Sequence, residues 1–192
     1  MKIKYILIIF AVIIFNNLWA QTEKYTTKYD QYFRKYSKRY FSAAFNWRWF
    51  KAQAIAESDL REKVESWANA KGIMQLLPST FEEVAKKNSD LENNIFDPRW
   101  NIAAGICYNR DLWKQWKAER PFNDRLDFTF GSYNAGFGTL LRAQDVCRIK
   151  GLNENHWQSI ERIAHEVPKW RHDETLQYIK KINKFFNEIT HQ

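Results

Sequence analysis

Apolar and aromatic residues recur at three- and four-residue steps along most of this 192-residue chain. The clearest stripe lies near the C-terminus and consists of Leu176, Ile179, Ile182, Phe185, Phe186 and Ile189. Such spacing places side chains on one face of a helix. No stretch shows the alternation of apolar and polar residues that a strand requires. The pattern therefore predicts an all-α fold, with one compact domain over residues 42–190.

The first 20 residues have the features of a secretory signal peptide. Lys2 and Lys4 precede an apolar run of ten residues that ends at Phe15, and Ala20 supplies a small residue for cleavage. The run is shorter than the ~20 residues that a membrane-spanning helix needs, although an uncleaved anchor stays an alternative. We expect residues 1–20 to be a signal peptide and the protein to be exported to the periplasm or cell wall.

Residues 21–41 are expected to form a helical lead-in to the main domain. Aromatic residues recur there at helical spacing from Tyr25 to Phe41. Packing onto the main domain is the simplest role for this stripe. Contact with sugars or with a membrane surface is the alternative.

Charge and composition narrow the range of partners. The formal net charge of +8 becomes +6 without Lys2 and Lys4, because residues 1–20 contain no Asp or Glu. A basic exported protein is attracted to anionic polymers and surfaces, which include peptidoglycan, teichoic acids, lipid headgroups and nucleic acid. Export argues against nucleic acid. A well-solvated surface explains the same charge without any partner.

Cysteine and histidine are few. Cys107 and Cys147 are the only cysteines, and both a disulfide and two buried thiols fit the sequence. The four histidines show no metal-ligand spacing with each other or with the cysteines. We therefore expect no metal site.

Glu57 lies at the end of an amphipathic segment. Asn46 is a suitable cap for a helix that begins at Trp47, and Phe50 and Ala54 lie on its apolar face. Glu57 falls on or beside that face, near the negative end of the helix dipole. Burial and the dipole both favour the protonated carboxyl. From this pattern alone, an ordinary surface glutamate is the simpler interpretation.

Later segments also carry signals of helix boundaries. Ser79 and Glu82 have the spacing of a capping box. A long helix is expected from Asn101, with Gly105 at a position of close packing. Asp173 is a suitable cap for the last helix.

Four segments resemble, in order and spacing, the motifs of the soluble lytic transglycosylase family, which has a helical lysozyme-like fold and cleaves peptidoglycan. Each motif is weak alone, but four in order behind an export signal are hard to reach by chance. The stretch from Asn46 to Gly72 is most similar to the membrane-associated murein transglycosylase branch. That branch often carries a solute-binding domain in front, which this sequence does not include. The four segments are Glu57-Ser58, Gly72-Ile73-Met74-Gln75-Leu76-Leu77-Pro78-Ser79-Thr80, Ser132-Tyr133-Asn134-Ala135-Gly136 and Glu174-Thr175-Leu176-Gln177-Tyr178-Ile179.

The resemblance implies that Glu57 is the catalytic acid. It further implies that Tyr133 orients Glu57 or the substrate, and that Glu174 supports the cleft or tunes Glu57 by its charge. The residues expected to bind substrate are Ser66, Trp67, Gln75, Leu77, Tyr133, Asn134, Glu174 and Tyr178. Structural roles stay open for four of these: loop residue for Ser66, helix-cap partner for Gln75, core packing for Tyr133 and first-turn stabilisation for Glu174.

The activity implied is cleavage of the β-1,4 bond between N-acetylmuramic acid and N-acetylglucosamine, with a 1,6-anhydro product and no metal or cofactor. The expected partners are peptidoglycan glycan strands. Two alternatives stay open, a lysozyme-type muramidase that uses water and a non-catalytic wall-binding protein on the same fold. Peripheral association with the membrane or with cell-wall machinery also stays open.

Overall fold

The computed structural model describes residues 24–92 and 94–191, so the predicted signal peptide lies outside the described residues. Eight α-helices occur within these ranges, and a short 3-10 helix, Ala164–Glu166, joins the last two. The helices are α1 (Asp30–Tyr40), α2 (Arg48–Ser58), α3 (Pro78–Lys87), α4 (Pro98–Gln115), α5 (Phe122–Ala135), α6 (Phe137–Ile149), α7 (Trp157–Ile163) and α8 (His172–Thr190).

The all-α prediction is confirmed for the part of the chain that the structure describes. Pairing of the β type is limited there to isolated bridges, which join Glu65 to Lys71 and Lys71 to Leu76. In the same ranges no helix is both long and apolar enough to cross a bilayer.

Helix α5 lies at the centre of the packing. It contacts α4, α6, α7 and α8, and its side chains Phe128 and Phe130 are buried. Helices α2 and α8 pack extensively against each other, which brings the C-terminal end of α2 beside the first half of α8.

The lead-in helix α1 belongs to the same core. Phe33 and Tyr36 are buried, and α1 packs against α4 and α2. Asp30 at its start pairs with the buried Lys51 of α2 at 2.7 Å. Because a buried charge is costly without a partner, this pair ties α1 to α2. The packing matches the simplest role expected for the lead-in.

Side chains bond to the backbone at two helix starts. The Asn46 side chain accepts a hydrogen bond from the backbone N–H of Arg48 at 3.1 Å, but the N-cap of α2 is Trp47, so the predicted cap at Asn46 lies one residue too early. The Asp97 side chain accepts from the backbone N–H of Arg99 at 2.8 Å. Helix α4 therefore begins before Asn101, which lies in its first turn instead of at its start.

Two further predicted caps are wrong. Helix α3 begins with Pro78 itself and has no side-chain cap, so Ser79 and Glu82 form no capping box. Proline supports this start because its fixed φ suits the first helical position. Helix α8 begins at His172, and Asp173 lies inside its first turn instead of capping it.

The cysteines are two buried free thiols, which settles the alternative that the sequence left open. Asn88 donates a hydrogen bond from Nδ2 to Cys107 Sγ at 3.4 Å. Burial raises the pKa of both thiols, so they behave as small apolar side chains.

Candidate active site

The C-terminal end of α2 is hydrogen-bonded to the turn at residues 72–75, which follows the 65–71 loop. The Ser58 hydroxyl donates to the backbone carbonyl of Ile73 at 2.8 Å. Just beyond it, Asp59 and Leu60 both have positive φ, 54° and 60°, so the helix stops abruptly. Glu57 thus occupies the last turn of a helix whose end is held in place.

Asn101 organises the turn from the other side. Its side-chain oxygen accepts from the backbone N–H of Met74 at 2.7 Å, and its nitrogen donates to the carbonyls of Lys71 at 3.0 Å and Ile95 at 2.8 Å. A fully buried amide needs such partners because unpaired polar groups are costly in a core. These bonds determine where the turn lies relative to α4.

Two glycines allow this close approach. Gly72 has φ of +77°, and a Cβ there would lie 2.4 Å from the Asn101 side-chain nitrogen. A Cβ on Gly105 would lie 2.8 Å from Met74 Cβ, which confirms the predicted close packing at this position. Larger residues at either place would push the turn away from α4.

The Glu57 carboxyl is half-buried and bonded to a phenol. The Tyr178 hydroxyl donates to Glu57 Oε1 at 2.5 Å. Burial raises the pKa of Glu57 to about 8; the hydrogen bond from Tyr178 partly offsets this rise, and the charge of Glu174 adds to it. At neutral pH the carboxyl is therefore mostly protonated, as a general acid must be.

Tyr133 lies near Glu57 but is bonded elsewhere. Its hydroxyl donates to the backbone carbonyl of Met74 at 2.8 Å, so it holds the turn. Burial and then the charge of Glu57 raise the pKa of Tyr133 well above its usual value. It stays a neutral phenol that supports the wall beside the acid, while Tyr178 is the tyrosine that contacts the carboxyl.

Helix α8 and the end of α5 carry a second set of the residues expected to bind substrate. Trp170 Nε1 donates to Thr175 Oγ1 at 3.0 Å, and that hydroxyl donates to Asn134 Oδ1 at 2.8 Å. Glu174 pairs with Arg171 at 2.9 Å and lies one helical turn before Tyr178. These residues border a cavity of ≈ 220 Å³ lined by Asn134, Ala135, Thr139, Lys169, Trp170, Arg171, Glu174 and Thr175.

Two of the residues expected to bind substrate, Ser66 and Gln75, form hydrogen bonds to the backbone of the loop. Ser66 Oγ accepts from the backbone N–H of Ala70 at 3.0 Å, which leaves its hydroxyl hydrogen free to be donated. Gln75 uses its amide nitrogen to hold the carbonyls of Val64 at 3.1 Å and Gly72 at 2.9 Å. The amide of Gln75 thus braces the loop, and only its side-chain oxygen is left for a ligand.

Two apolar side chains project from this region. Trp67 is 90% exposed and Leu77 is 45% exposed. Trp67 lies in the loop after Ser66, and Leu77 lies at the start of α3. Exposed apolar groups of this size are suited to contact a ligand.

Two residues behind the acid, Gln53 and Asn109, are not among those predicted from the sequence. Gln53 Nε2 donates to the Tyr178 oxygen at 3.0 Å, and Asn109 Nδ2 donates to Gln53 Oε1 at 2.8 Å. A usable signal exists in the pattern: Gln53 lies one turn before Glu57, and Asn109 continues the Asn101 and Gly105 face at four-residue spacing. Amides on otherwise apolar helix faces indicate a buried network.

Solved structures share this arrangement of helices. The 70-kDa soluble lytic transglycosylase from Escherichia coli matches with a TM-score of 0.63 at 25% identity, over 90% of this chain and 26% of that one. The lytic transglycosylase Slt of Pseudomonas aeruginosa, as an inactive mutant, matches with a TM-score of 0.65 at 20% identity, over 85% and 24%. The fold is therefore that of the helical, lysozyme-like lytic transglycosylase domains.

Residues 31–154 match the family model described as Transglycosylase SLT domain, and the chain belongs to this family. The resemblance inferred from the motifs is thereby confirmed. A membrane-bound lytic murein transglycosylase F from Desulfosudis oleivorans is 31% identical over 154 residues, which are 74% of this chain and 33% of the relative. One from Shewanella sediminis is 23% identical over 184 residues, 89% and 37% of the two chains. The chain thus spans about a third of the length of these relatives.

Proposed function

We propose that this protein is a peptidoglycan lytic transglycosylase with Glu57 as its catalytic acid and base. The observation that carries the proposal is the state of that carboxyl: burial raises the pKa of Glu57 to about 8, and the carboxyl lies at the end of α2 within a family of lytic transglycosylases. A proton is therefore available at neutral pH for the oxygen of a glycosidic bond.

In the first step, protonated Glu57 gives its proton to the oxygen that links N-acetylmuramic acid to N-acetylglucosamine. The bond from C1 of the muramic sugar to that oxygen breaks, and positive charge develops at C1. The substrate's own acetamido group stabilises this charge, as in other substrate-assisted glycosidases. The hydrogen bond from Tyr178 stabilises the carboxylate that remains.

In the second step, the Glu57 carboxylate takes the proton from the C6 hydroxyl of the same sugar, and that oxygen bonds to C1. The product is a 1,6-anhydro ring, and Glu57 is again protonated. Since no water enters, a second carboxylate is not needed as base or nucleophile. Glu174 fits a supporting role, because it pairs with Arg171 and acts on Glu57 through its charge.

The surrounding residues fit the task of holding a glycan. The Ser66 hydroxyl keeps a hydrogen that it can donate to the substrate near the acetamido group or ring oxygen. The exposed Trp67 indole offers a face on which a sugar can stack. Leu77 supplies an apolar edge. Asn134 and Glu174 line the cavity between α8 and the end of α5, while Tyr133 and Gln75 hold the turn in place.

The cell wall is the proposed place of action. The sequence supports export through Lys2, Lys4 and the apolar run that follows. A net positive charge favours contact with an anionic polymer. The relatives named membrane-bound murein transglycosylases are consistent with work at the murein layer.

The test is mass spectrometry of muropeptides released from purified sacculi. The wild type is expected to release 1,6-anhydro products, which are one water lighter than hydrolytic products. Glu57→Gln is expected to lower the turnover rate by about 10²–10⁴-fold, and the exposed Glu119→Gln serves as a matched control with unchanged release. Products that contain the added water would identify a muramidase. Binding to sacculi with no release by the wild type would identify a wall-binding protein.

A further inference from the structure

Two fully buried amides, Gln53 and Asn109, connect the core to the active site. Asn109 donates to Gln53, Gln53 donates to Tyr178, and Tyr178 donates to Glu57, at 2.8, 3.0 and 2.5 Å. Packing does not require amides here, since leucine or methionine would fill similar volumes without polar atoms to satisfy. The presence of two buried amides in this series of hydrogen bonds therefore needs another explanation.

A backbone carbonyl determines which group donates and which accepts in this series of hydrogen bonds. Asn109 Nδ2 also donates to the carbonyl oxygen of Gly105 at 2.9 Å, and a carbonyl can only accept. The Asn109 atom at this position must therefore be the nitrogen. The same nitrogen faces Gln53, so the Gln53 atom opposite it must be the oxygen, and the Gln53 nitrogen faces Tyr178.

Tyr178 has only one hydroxyl hydrogen. Because its oxygen accepts from Gln53 Nε2, that hydrogen is directed to Glu57 Oε1. Asn109 Oδ1 is buried without a hydrogen-bond partner among the described residues. Turning the amide over would place this oxygen against two other oxygens, of Gly105 and Gln53, so the orientation persists in spite of an unsatisfied atom.

We propose that Gln53 is a positioning residue that makes Tyr178 a one-way donor to Glu57 Oε1, so that the proton used in catalysis is carried by Oε2. Asn109 holds Gln53 in the required orientation. This inference rests on the proposed function in that it assigns the catalytic proton to one oxygen of the same carboxyl.

Without the bond from Gln53, the Tyr178 hydroxyl can rotate and accept a proton from Glu57. A proton held on Oε1 and shared with Tyr178 is directed away from the glycosidic oxygen, so turnover falls. The neutral carboxyl can then bond to Tyr178 either as acceptor or as donor, and the carboxylate loses a firmly directed donor. Both changes raise the pKa of Glu57 further.

The test uses Gln53→Met, which keeps the length of the side chain and removes the amide. Expected are a fall in kcat of about three- to tenfold, a KM close to that of the wild type, and an alkaline limb of the pH–rate profile shifted upward by about half a pH unit. An unchanged kcat together with an unchanged alkaline limb would overturn the proposal.

A double-mutant cycle separates positioning from packing. If Gln53 acts through Tyr178, Gln53→Met has little further effect in a Tyr178→Phe background. The same three- to tenfold loss in both backgrounds would show that Gln53 only supports packing, and would overturn the proposal. Should Gln53→Met fail to fold, Asn109→Leu takes its place: the freed Gln53 amide can turn over, and the same upward shift of the alkaline limb is expected.

A readout without activity keeps this inference separate from the proposed function. Carbon-detected NMR titration of the Glu57 carboxyl, assigned by its loss in Glu57→Gln, should show a higher pKa in Gln53→Met than in the wild type. That shift with no glycan cleavage by the wild type would contradict the proposed function and leave the positioning role standing. Cleavage by the wild type with identical Glu57 titrations in the two proteins would contradict the positioning role alone.

Discussion

Replacing Glu57 by glutamine is expected to stabilise the fold at neutral pH while it removes activity. The two side chains have nearly the same volume, and the glutamine oxygen can still accept the hydrogen bond from Tyr178. What the substitution removes is a carboxyl whose pKa burial raises from 4.5 to about 8. The folded wild type opposes ionisation of this group, whereas the unfolded chain does not.

The size and sign of the effect follow from that difference. Below pH 4.5 the carboxyl is protonated in both states and the contribution of Glu57 to stability is fully present. Between pH 4.5 and about 8 only the unfolded chain ionises, so the free energy of unfolding of the wild type falls by about 1.4 kcal/mol for each pH unit. Full burial would give a loss of about 3 kcal/mol at pH 7. Because Glu57 is half-buried, we expect Glu57→Gln to be more stable by about 2–3 kcal/mol at pH 7.

Chemical unfolding followed by tryptophan fluorescence measures this at pH 4.5, 6, 7 and 8. Other titrating groups are the same in both proteins and cancel in the difference. The stability difference should be near zero at pH 4.5 and grow with pH. Exposed Glu119→Gln should show no such growth. If the difference in free energy of unfolding between Glu57→Gln and the wild type is constant over this range, the folded protein does not resist ionisation of Glu57. That result would also refute the proposed role of Glu57 as an acid at neutral pH.

Three further substitutions test the structure around the site. Asn101→Leu should lower the free energy of unfolding by about 2–4 kcal/mol, because the Met74 N–H and two carbonyls lose their buried partner; a smaller loss in urea unfolding would contradict this role. Gly105→Ala should lower the free energy of unfolding by about 1–3 kcal/mol, because the added Cβ clashes with Met74. Gly138→Ala is the control: its added Cβ meets no atom closer than 4.0 Å, so it should leave the free energy of unfolding unchanged or raise it by up to about 1 kcal/mol. Burial raises the pKa of Asp127 to about 7, so Asp127→Asn should stabilise the fold by about 2–4 kcal/mol at pH 8 and by well under 1 kcal/mol at pH 4. An equal gain at both pH values would argue against this burial.

Helical periodicity is a local signal, and it predicts the helices well. The stripes around Phe50, Ile102 and Ile179 place α2, α4 and α8 within a few residues of where they lie. Boundaries are less predictable, because Asp97-Pro98 indicates a turn and a helix start equally well. The failed cap at Asp173 has the same origin: a polar side chain suits both the cap and the first turn.

The candidate site is predicted only as far as local pattern and family motifs reach. Helical spacing places Glu57 beside an apolar face. Only the likeness to known motifs singles it out as a candidate acid and adds the residues of the loop and of α8. The contact between Tyr178 and Glu57 joins residues 121 positions apart, and Gln53 and Asn109 are 56 apart. No local pattern encodes such pairs, because they result from how α2, α4 and α8 pack together.

The proposed two-step role of Glu57 explains why the groups hydrogen-bonded to it, directly and through Tyr178, are neutral. A residue that acts first as acid and then as base must reach both protonation states within one reaction. A cation bonded to the carboxyl would lower the pKa of Glu57 and remove the acid, whereas a second carboxylate in contact would raise the pKa and remove the base. In the described part of the chain the bonded neighbour is a phenol, and the network behind it consists of amides and a backbone carbonyl. Dipoles of this kind stabilise the carboxylate by an amount that only partly offsets burial, which leaves the pKa near the pH at which both steps must occur.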